Sequence, residues 1–196
     1  MAAPETMTSL RERSKAKRRE HIRRTAMRLF AERGYDHATI ADIAAEAEVA
    51  PRTVTMYFSS KADIALSLHN EIVLRLIAVF KEQPELSFTD TVDRWLRSER
   101  EHLDPELMAL SNAMFEANPD LRSLGSKDFD EVVALAGPAF KAEVGLTRDH
   151  PLGAVIGAAV GAAITRYLFT GLTGDGQPGL HEDFMRILRT LMHSAR

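Results

Sequence analysis

The stretch Thr39-Ile40-Ala41-Asp42-Ile43-Ala44-Ala45-Glu46-Ala47-Glu48-Val49-Ala50-Pro51-Arg52-Thr53-Val54-Thr55-Met56-Tyr57-Phe58 decides the fold. Thr39 opens a helix. Its hydroxyl can accept from the backbone N–H three residues on, and Asp42 at that position returns the bond as a capping box. Asp42 also suits the positive end of the helix dipole. Ile40, Ile43, Ala44 and Ala47 form the buried side of this short helix, which ends near Ala47. A second short helix starts at about Ala50, with Pro51 in its first turn, where a missing N–H leaves nothing unpaired. Val54 and Phe58 stand four apart and face the core. Arg52, Thr53, Thr55, Met56 and Tyr57 then point outward or to the edges. That set suits base edges, thymine methyls and phosphates better than plain solvent. Two short helices joined by a tight turn read as a helix-turn-helix. Taken alone, the pattern also fits two helices packed for stability.

The residues before this stretch supply charge. A helix is predicted over 14–33, with Ile22, Ala26, Leu29 and Phe30 as one apolar stripe. Gly34 follows where a chain leaving a helix often needs positive φ, and Tyr35 can fold back onto the stripe. Lys15, Arg18, Arg19 and Arg23 are assigned to the opposite face. From Arg11 to Arg33 there are 10 basic and 3 acidic residues, although the whole chain has a formal net charge of −3. A basic head on an acidic body fits a chain that meets a polyanion at one end. On charge alone, a solvated helix face or a disordered basic tail fits as well.

Length and composition bound the rest. The sequence has 196 residues, 45% of them hydrophobic, and no Cys, which excludes disulfides, thiol chemistry and Cys-based zinc sites. The start has no apolar core of a secretory signal. After the break at Ser59-Ser60, helices are expected at 61–83, 88–103, 105–117, 119–143, 150–172 and 180–194. Pro138 is expected to kink or split the 119–143 helix, and a loop covers 173–179. No run alternates with period two, so the fold class is all-α with about nine helices. The segment 152–172 is long and apolar enough to span a membrane, but it contains Arg166 and is rich in Gly and Ala. It reads as a buried helix of a soluble protein, with a span as the alternative.

In combination the N-terminal motifs carry a resemblance. Arg18-Arg19-Glu20-His21-Ile22, Ala26-Met27-Arg28-Leu29-Phe30-Ala31-Glu32-Arg33-Gly34-Tyr35, Thr39 to Ala44, Val49 to Val54 and Tyr57-Phe58-Ser59-Ser60-Lys61-Ala62-Asp63 resemble the opening of the tetracycline-repressor (TetR) family. The resemblance covers about residues 14–70. Beyond it, only helix count, length and the joining stretch Glu116-Ala117-Asn118-Pro119-Asp120-Leu121-Arg122 are similar. It implies a flexible basic arm over 1–13, a DNA-binding domain over 14–62 and a ligand-binding and dimerisation domain over 63–196. Carried over by position, Thr39 meets a phosphate. Pro51, Arg52, Thr53, Thr55 and Met56 read bases and touch backbone, Tyr57 and Lys61 clamp phosphates, and Val54 is core. Three positions depart from the family: Glu48 stands where Gly is frequent, Ala50 where Ser or Thr is common, and Thr55 where an aromatic is usual.

The same resemblance places an effector pocket and a dimer surface in the C-terminal part. Candidate pocket residues are Trp95, Met108, Asn112, Met114, Phe115, Phe129 and Tyr167, although Met and aromatics at helical spacing also simply fill cores. His69, His102 and Arg166 are candidate anchors for a polar group. Gly153, Gly157 and Gly161 recur every fourth residue, a small-residue stripe that lets another backbone approach. With Phe184, Ile187, Leu188 and Leu191 it forms the expected interface of a homodimer, or else packs within one subunit. The His spacing suits no metal, and no cofactor is expected. The implied protein is a cytoplasmic, ligand-responsive regulator that binds double-stranded operator DNA, is released by a small apolar or acyl-type effector, and is not an enzyme. A helical enzyme or a membrane-associated helical protein are the other readings.

Overall fold

The computed structural model describes residues 10–124, 129–147, 149–171 and 178–193. The described residues form nine α-helices: α1 Leu10–Arg33, α2 Ile40–Glu46, α3 Pro51–Tyr57, α4 Lys61–Glu82, α5 Phe88–His102, α6 Pro105–Ala117, α7 Phe129–Glu143, α8 Leu152–Gly171 and α9 Leu180–His193. They divide between two compact units. One holds Met1–Ser67 and Leu110–Leu124, the other Leu68–Ala109 and Gly125–Arg196. The boundary differs from the expected break at 62, because residues 110–124 belong with the N-terminal helices.

In the first unit the α1 stripe is buried as its spacing predicts, with Ile22, Ala26, Leu29 and Phe30 all inaccessible. Gly34 takes φ +85°, a conformation in which a Cβ would clash with its own backbone. The chain then turns so that the Tyr35 ring meets Phe30 edge-on, with centroids 5.2 Å apart. Helix α1 begins earlier than expected, so residues 10–13 are helical rather than part of an arm. Residues 1–9 lie outside the described residues. Arg23, expected on the solvent face, is buried and has a guanidinium nitrogen 3.5 Å from Glu20 Oε2. It lies one residue from Ile22, close enough to the apolar stripe for the neighbouring core to enclose its stem.

Asn118 explains why 110–124 joins this unit. Its Nδ2 donates to the carbonyls of Phe30 and Met114, both at 2.8 Å, and its Oδ1 accepts from Tyr35 N–H at 2.7 Å. The amide therefore pairs the Tyr35 N–H just past the end of α1 and adds a second bond to the Phe30 carbonyl, which also accepts from Gly34 N–H at 3.2 Å. Pro119 ends α6, and a short 3-10 helix follows over Pro119–Leu124. The expected single helix over 119–143 is thus two elements. The break falls before Phe129, while Pro138 lies inside α7.

In the second unit α5 packs against α7 and α9. Glu99 is completely buried and takes a two-pronged ion pair from Arg75 of α4, at 2.6 and 2.7 Å. Such a pair keeps a carboxylate ionised where desolvation would otherwise neutralise it. Buried His181 donates from Nε2 to Asp93 Oδ1 (2.6 Å), and its other ring nitrogen lies 3.3 Å from the Tyr167 hydroxyl. Burial alone pushes the Asp93 carboxyl up, but its bonds to His181 and Arg189 hold it below the usual carboxylate range. The Tyr167 ring stacks on Phe184 at 4.1 Å.

Helix α8 departs from its expected burial. It is long and apolar enough to cross a membrane, yet only 22% of its most apolar window is buried within the chain. Gly153 and Gly157 face α7, against the side chains of Lys141 and Phe140, while nothing approaches the open side of Gly161. Ala154, Val155, Ala158, Ala159, Ala162 and Ala163 are exposed instead.

Two predictions follow from these local geometries. Asn118→Ala leaves Tyr35 N–H without its partner and removes one of the two bonds to Phe30 C=O, so the first unit should lose about 1–3 kcal/mol in thermal or urea unfolding. Glu48 is the one non-glycine residue with positive φ among the described residues, at 53°. Glu48→Gly should therefore raise stability by about 0.5–1 kcal/mol, because relief of the left-handed strain outweighs the added chain entropy. An unchanged or lower midpoint would contradict that balance.

Candidate nucleic-acid interface

The orientation of α3 follows from what it buries. Val54 and Phe58 are inaccessible, as their spacing predicts. With that side turned inward, Pro51, Arg52, Thr55 and Met56 are exposed and Thr53 and Tyr57 half-exposed. Met56 is 75% exposed, which is a poor use of a thioether in water. Thr55 Oγ1 donates back to the Arg52 carbonyl at 3.1 Å. That bond leaves its methyl free to face outward. Arg52 is exposed, with no ion pair holding it among the described residues.

The turn that sets the α2–α3 angle passes through Glu48. The amide of Val49 reaches back to the Ala44 carbonyl at 2.9 Å. Upstream, Thr39 caps α2: Asp42 N–H donates to its Oγ1, while Thr39 N–H and Oγ1–H both donate to Asp42 Oδ2. These bonds from Thr39 hold the Asp42 carboxyl below its ordinary range. Thr39 remains exposed, so its position suits a phosphate, although its hydroxyl proton is already engaged. Ala50 precedes α3 with no side-chain cap, which leaves the first N–H groups of that helix unpaired by side chains.

Lys61 has a role that its sequence position did not announce. Its Nζ donates to the carbonyls of Tyr35 (2.6 Å) and Ala38 (2.8 Å) and sits 4.5 Å from the Tyr35 ring centroid. It fastens the turn between α1 and α2. A phosphate contact would have to compete with those carbonyls. Arg19 lies over the Phe58 ring at 4.7 Å. Arg28 and Arg33 of α1 both reach Glu46 of α2, at 2.9 and 3.9 Å. Toward the start of α1, Arg11, Arg13, Lys15, Lys17 and Arg18 are exposed. Helix α4 starts at Lys61 as expected, but its cap was not anticipated: Ser60 Oγ accepts from Asp63 N–H, and Asp63 accepts from Ser59 N–H and Oγ. The signal was Ser60 with an acidic residue three positions on, the same pattern read correctly at Thr39.

The expected pocket residues do not form one cluster within a unit. Trp95, Met108 and Tyr167 are buried in the second unit, whereas Asn112, Met114 and Phe115 belong to the first. The side chain of Phe129 lies outside the described residues. A cleft of about 710 Å³ in the second unit is lined instead by residues such as Phe80, Pro84, Leu135, Pro138, Glu143 and Arg189, and includes none of the seven. His69 is stacked on Phe169 at 6.4 Å, and burial pushes its imidazole pKa down. Of the expected interface residues, Ile187 and Leu191 are exposed, Phe184 is half-buried and Leu188 is buried.

Comparisons with known proteins agree with this picture of the N-terminal unit. Residues 22–68 match the family described as bacterial regulatory proteins, tetR family. A curated relative, the HTH-type transcriptional regulator TcmR of Streptomyces glaucescens, is 36% identical over 75 residues. These make up 38% of this chain and 33% of that regulator's own length. Two solved structures share the fold along most of the chain. A putative tetR-family regulator from Shewanella sp. PV-4 has a TM-score of 0.55 at 14% identity, covering 91% of this chain and 97% of that one. A transcriptional regulator from Aquifex aeolicus VF5 has a TM-score of 0.53 at 16% identity, covering 89% and 99%. Its helix-turn-helix region is thus similar in sequence to the tetR family of bacterial regulatory proteins, and its all-helical fold is shared with solved structures along most of the chain.

Proposed function

We propose that this protein is a homodimeric transcriptional regulator that binds operator DNA through α3 and is released by a small apolar or acyl-type effector, acting in the cytoplasm. The observation that carries the reading is the outward face of α3. Arg52, Thr55 and Met56 stand exposed together on a helix whose other side is locked into a core. A short helix of this kind fits a major groove and presents its first turn to base edges. Arg52 is suited to guanine or phosphate, Met56 and the Thr55 methyl to a thymine methyl. Tyr57, at the edge of the same face, is suited to a phosphate. The exposed cations of α1 supply the charge that displaces counterions, the sequence-independent part of affinity.

A dimer is the natural consequence of the exposed apolar faces. Val155 of α8 is 65% exposed and Leu191 of α9 is 63% exposed. Covering such a surface with a second copy removes it from water and places two α3 helices on one duplex. For adjacent major grooves their separation must be about 34–36 Å. Effector binding among the body helices would tilt α4, which contributes residues to both units, and so change that separation. DNA affinity then falls by the effector's preference for the released state.

Arg52→Ala and Tyr57→Ala should each weaken binding to the native operator by tenfold or more while leaving the dimer intact, as read by gel-shift titration with parallel sizing. Unchanged affinity in both would reject the assigned face. Val155→Glu combined with Leu191→Glu should convert a detergent-free dimer into a monomer by sedimentation. A wild type that is monomeric at micromolar concentration, or soluble only in detergent, would contradict the dimer surface.

A further inference from the structure

Among the described residues, oxidisable sulfur is accessible at one place. The sequence holds eight methionines and no cysteine. Met1 and Met7 lie outside the described residues. Met27, Met108, Met114, Met185 and Met192 are each at most 1% exposed. Met56 is 75% exposed, so it is the one described sulfur that an oxidant dissolved in water reaches directly. Oxidation of a thioether follows its accessibility. With no thiol in the chain, nothing faster competes for a limited dose of oxidant.

The position of that sulfur gives its oxidation a consequence. Met56 stands with Arg52 and Thr55 on the outward face of α3, while Val54 and Phe58 hold the other side in the core. Oxidation at Met56 therefore changes the surface and leaves the packing alone. The thioether is an apolar, polarizable group suited to a thymine methyl. Its sulfoxide carries a strong acceptor oxygen with partial negative charge. That oxygen must shed water to enter a groove flanked by phosphates, and the apolar contact is lost.

Resting on the regulator reading above, we infer that Met56 is a reversible modification site through which peroxides lower the DNA affinity of this protein. A lone pair of Met56 Sδ attacks one oxygen of hydrogen peroxide, the O–O bond breaks, and the second oxygen leaves as water with both hydrogens. Sulfur is oxidised by two electrons and the peroxide is reduced. Methionine sulfoxide reductases run the return step: the sulfoxide oxygen leaves as water while two thiols join as a disulfide. This chain has no thiol, so a separate reductase supplies those electrons. Such a signal acts on the DNA-reading face itself and requires no movement of the body helices.

The test exposes the intact protein to graded hydrogen peroxide. Peptide mass mapping reads the added oxygen at each methionine, gel-shift titration on the DNA flanking its own gene reads affinity, and thermal melting reads the fold. Met56 should be oxidised ahead of the five buried methionines with an unchanged melting midpoint, and affinity should fall about tenfold. The two epimer-specific methionine sulfoxide reductases, with dithiothreitol, should restore it. In Met56→Leu the ratio of affinities before and after the same dose should be close to one, whatever its starting affinity. That comparison also removes any contribution of Met1 and Met7. If Met56→Leu binds too weakly for a ratio, recovery of wild-type affinity in step with reduction of Met56 decides. Buried methionines oxidised before Met56, affinity unchanged or raised once Met56 is converted, the same loss in Met56→Leu, or a loss that the reductases do not reverse would each overturn the inference. Reduced wild type that binds no DNA even at low salt would sink the regulator reading and the inference with it. Met56 sulfoxide without effect in a protein that does bind DNA would sink the inference alone.

Discussion

The burial of Val54 and Phe58 is the contact on which the rest depends. A helix of two turns has almost no stability of its own, so α3 exists because these two side chains are buried, as are Ile22, Leu29, Phe30 and Ile43 of the same unit. Their insertion also fixes the rotation of α3 about its axis. With two positions four residues apart pointing inward, the residues between them have only the outer surface left. The exposure of Arg52, Thr55 and Met56 is therefore a consequence of packing and does not require any attraction from outside.

Several devices hold that core in register, and each uses a backbone group that would otherwise be unpaired. Thr39 and Asp42 close the start of α2. Lys61 gathers the carbonyls of the turn before it. Asn118 closes the end of α1 from a segment far away in sequence, at a separation of 83 residues from Tyr35. All three devices thus pin the one connection between α1 and α2, while α3 itself has no side-chain cap. The least supported element of the head is the one proposed to meet DNA, where contacts from the duplex would supply the missing partners.

Much of this was legible in the residues, and the failures have physical causes. Helical periodicity, the capping box at Thr39 and the inward pair Val54 and Phe58 are local properties, so spacing alone exposes them. Glu48 was also readable, because a turn that favours Gly demands a left-handed residue whatever occupies it, and its φ is positive. Arg23 was misplaced because an arginine's stem can be buried while its head finds a carboxylate, a choice that sequence does not record. Lys61 and Asn118 bind backbone atoms of distant residues, and no spacing encodes such partners. Helix α8 was expected to be buried because it is apolar. Composition cannot say whether an apolar helix is covered by its own chain or left open for another.

The central claim is that two copies of the α3 face engage one duplex together. Hydroxyl-radical footprinting of the purified protein on the DNA flanking its own gene tests it most directly. The account predicts two protected patches about 10 base pairs apart, related by two-fold symmetry. A single patch, or no protection even at low salt, would contradict it.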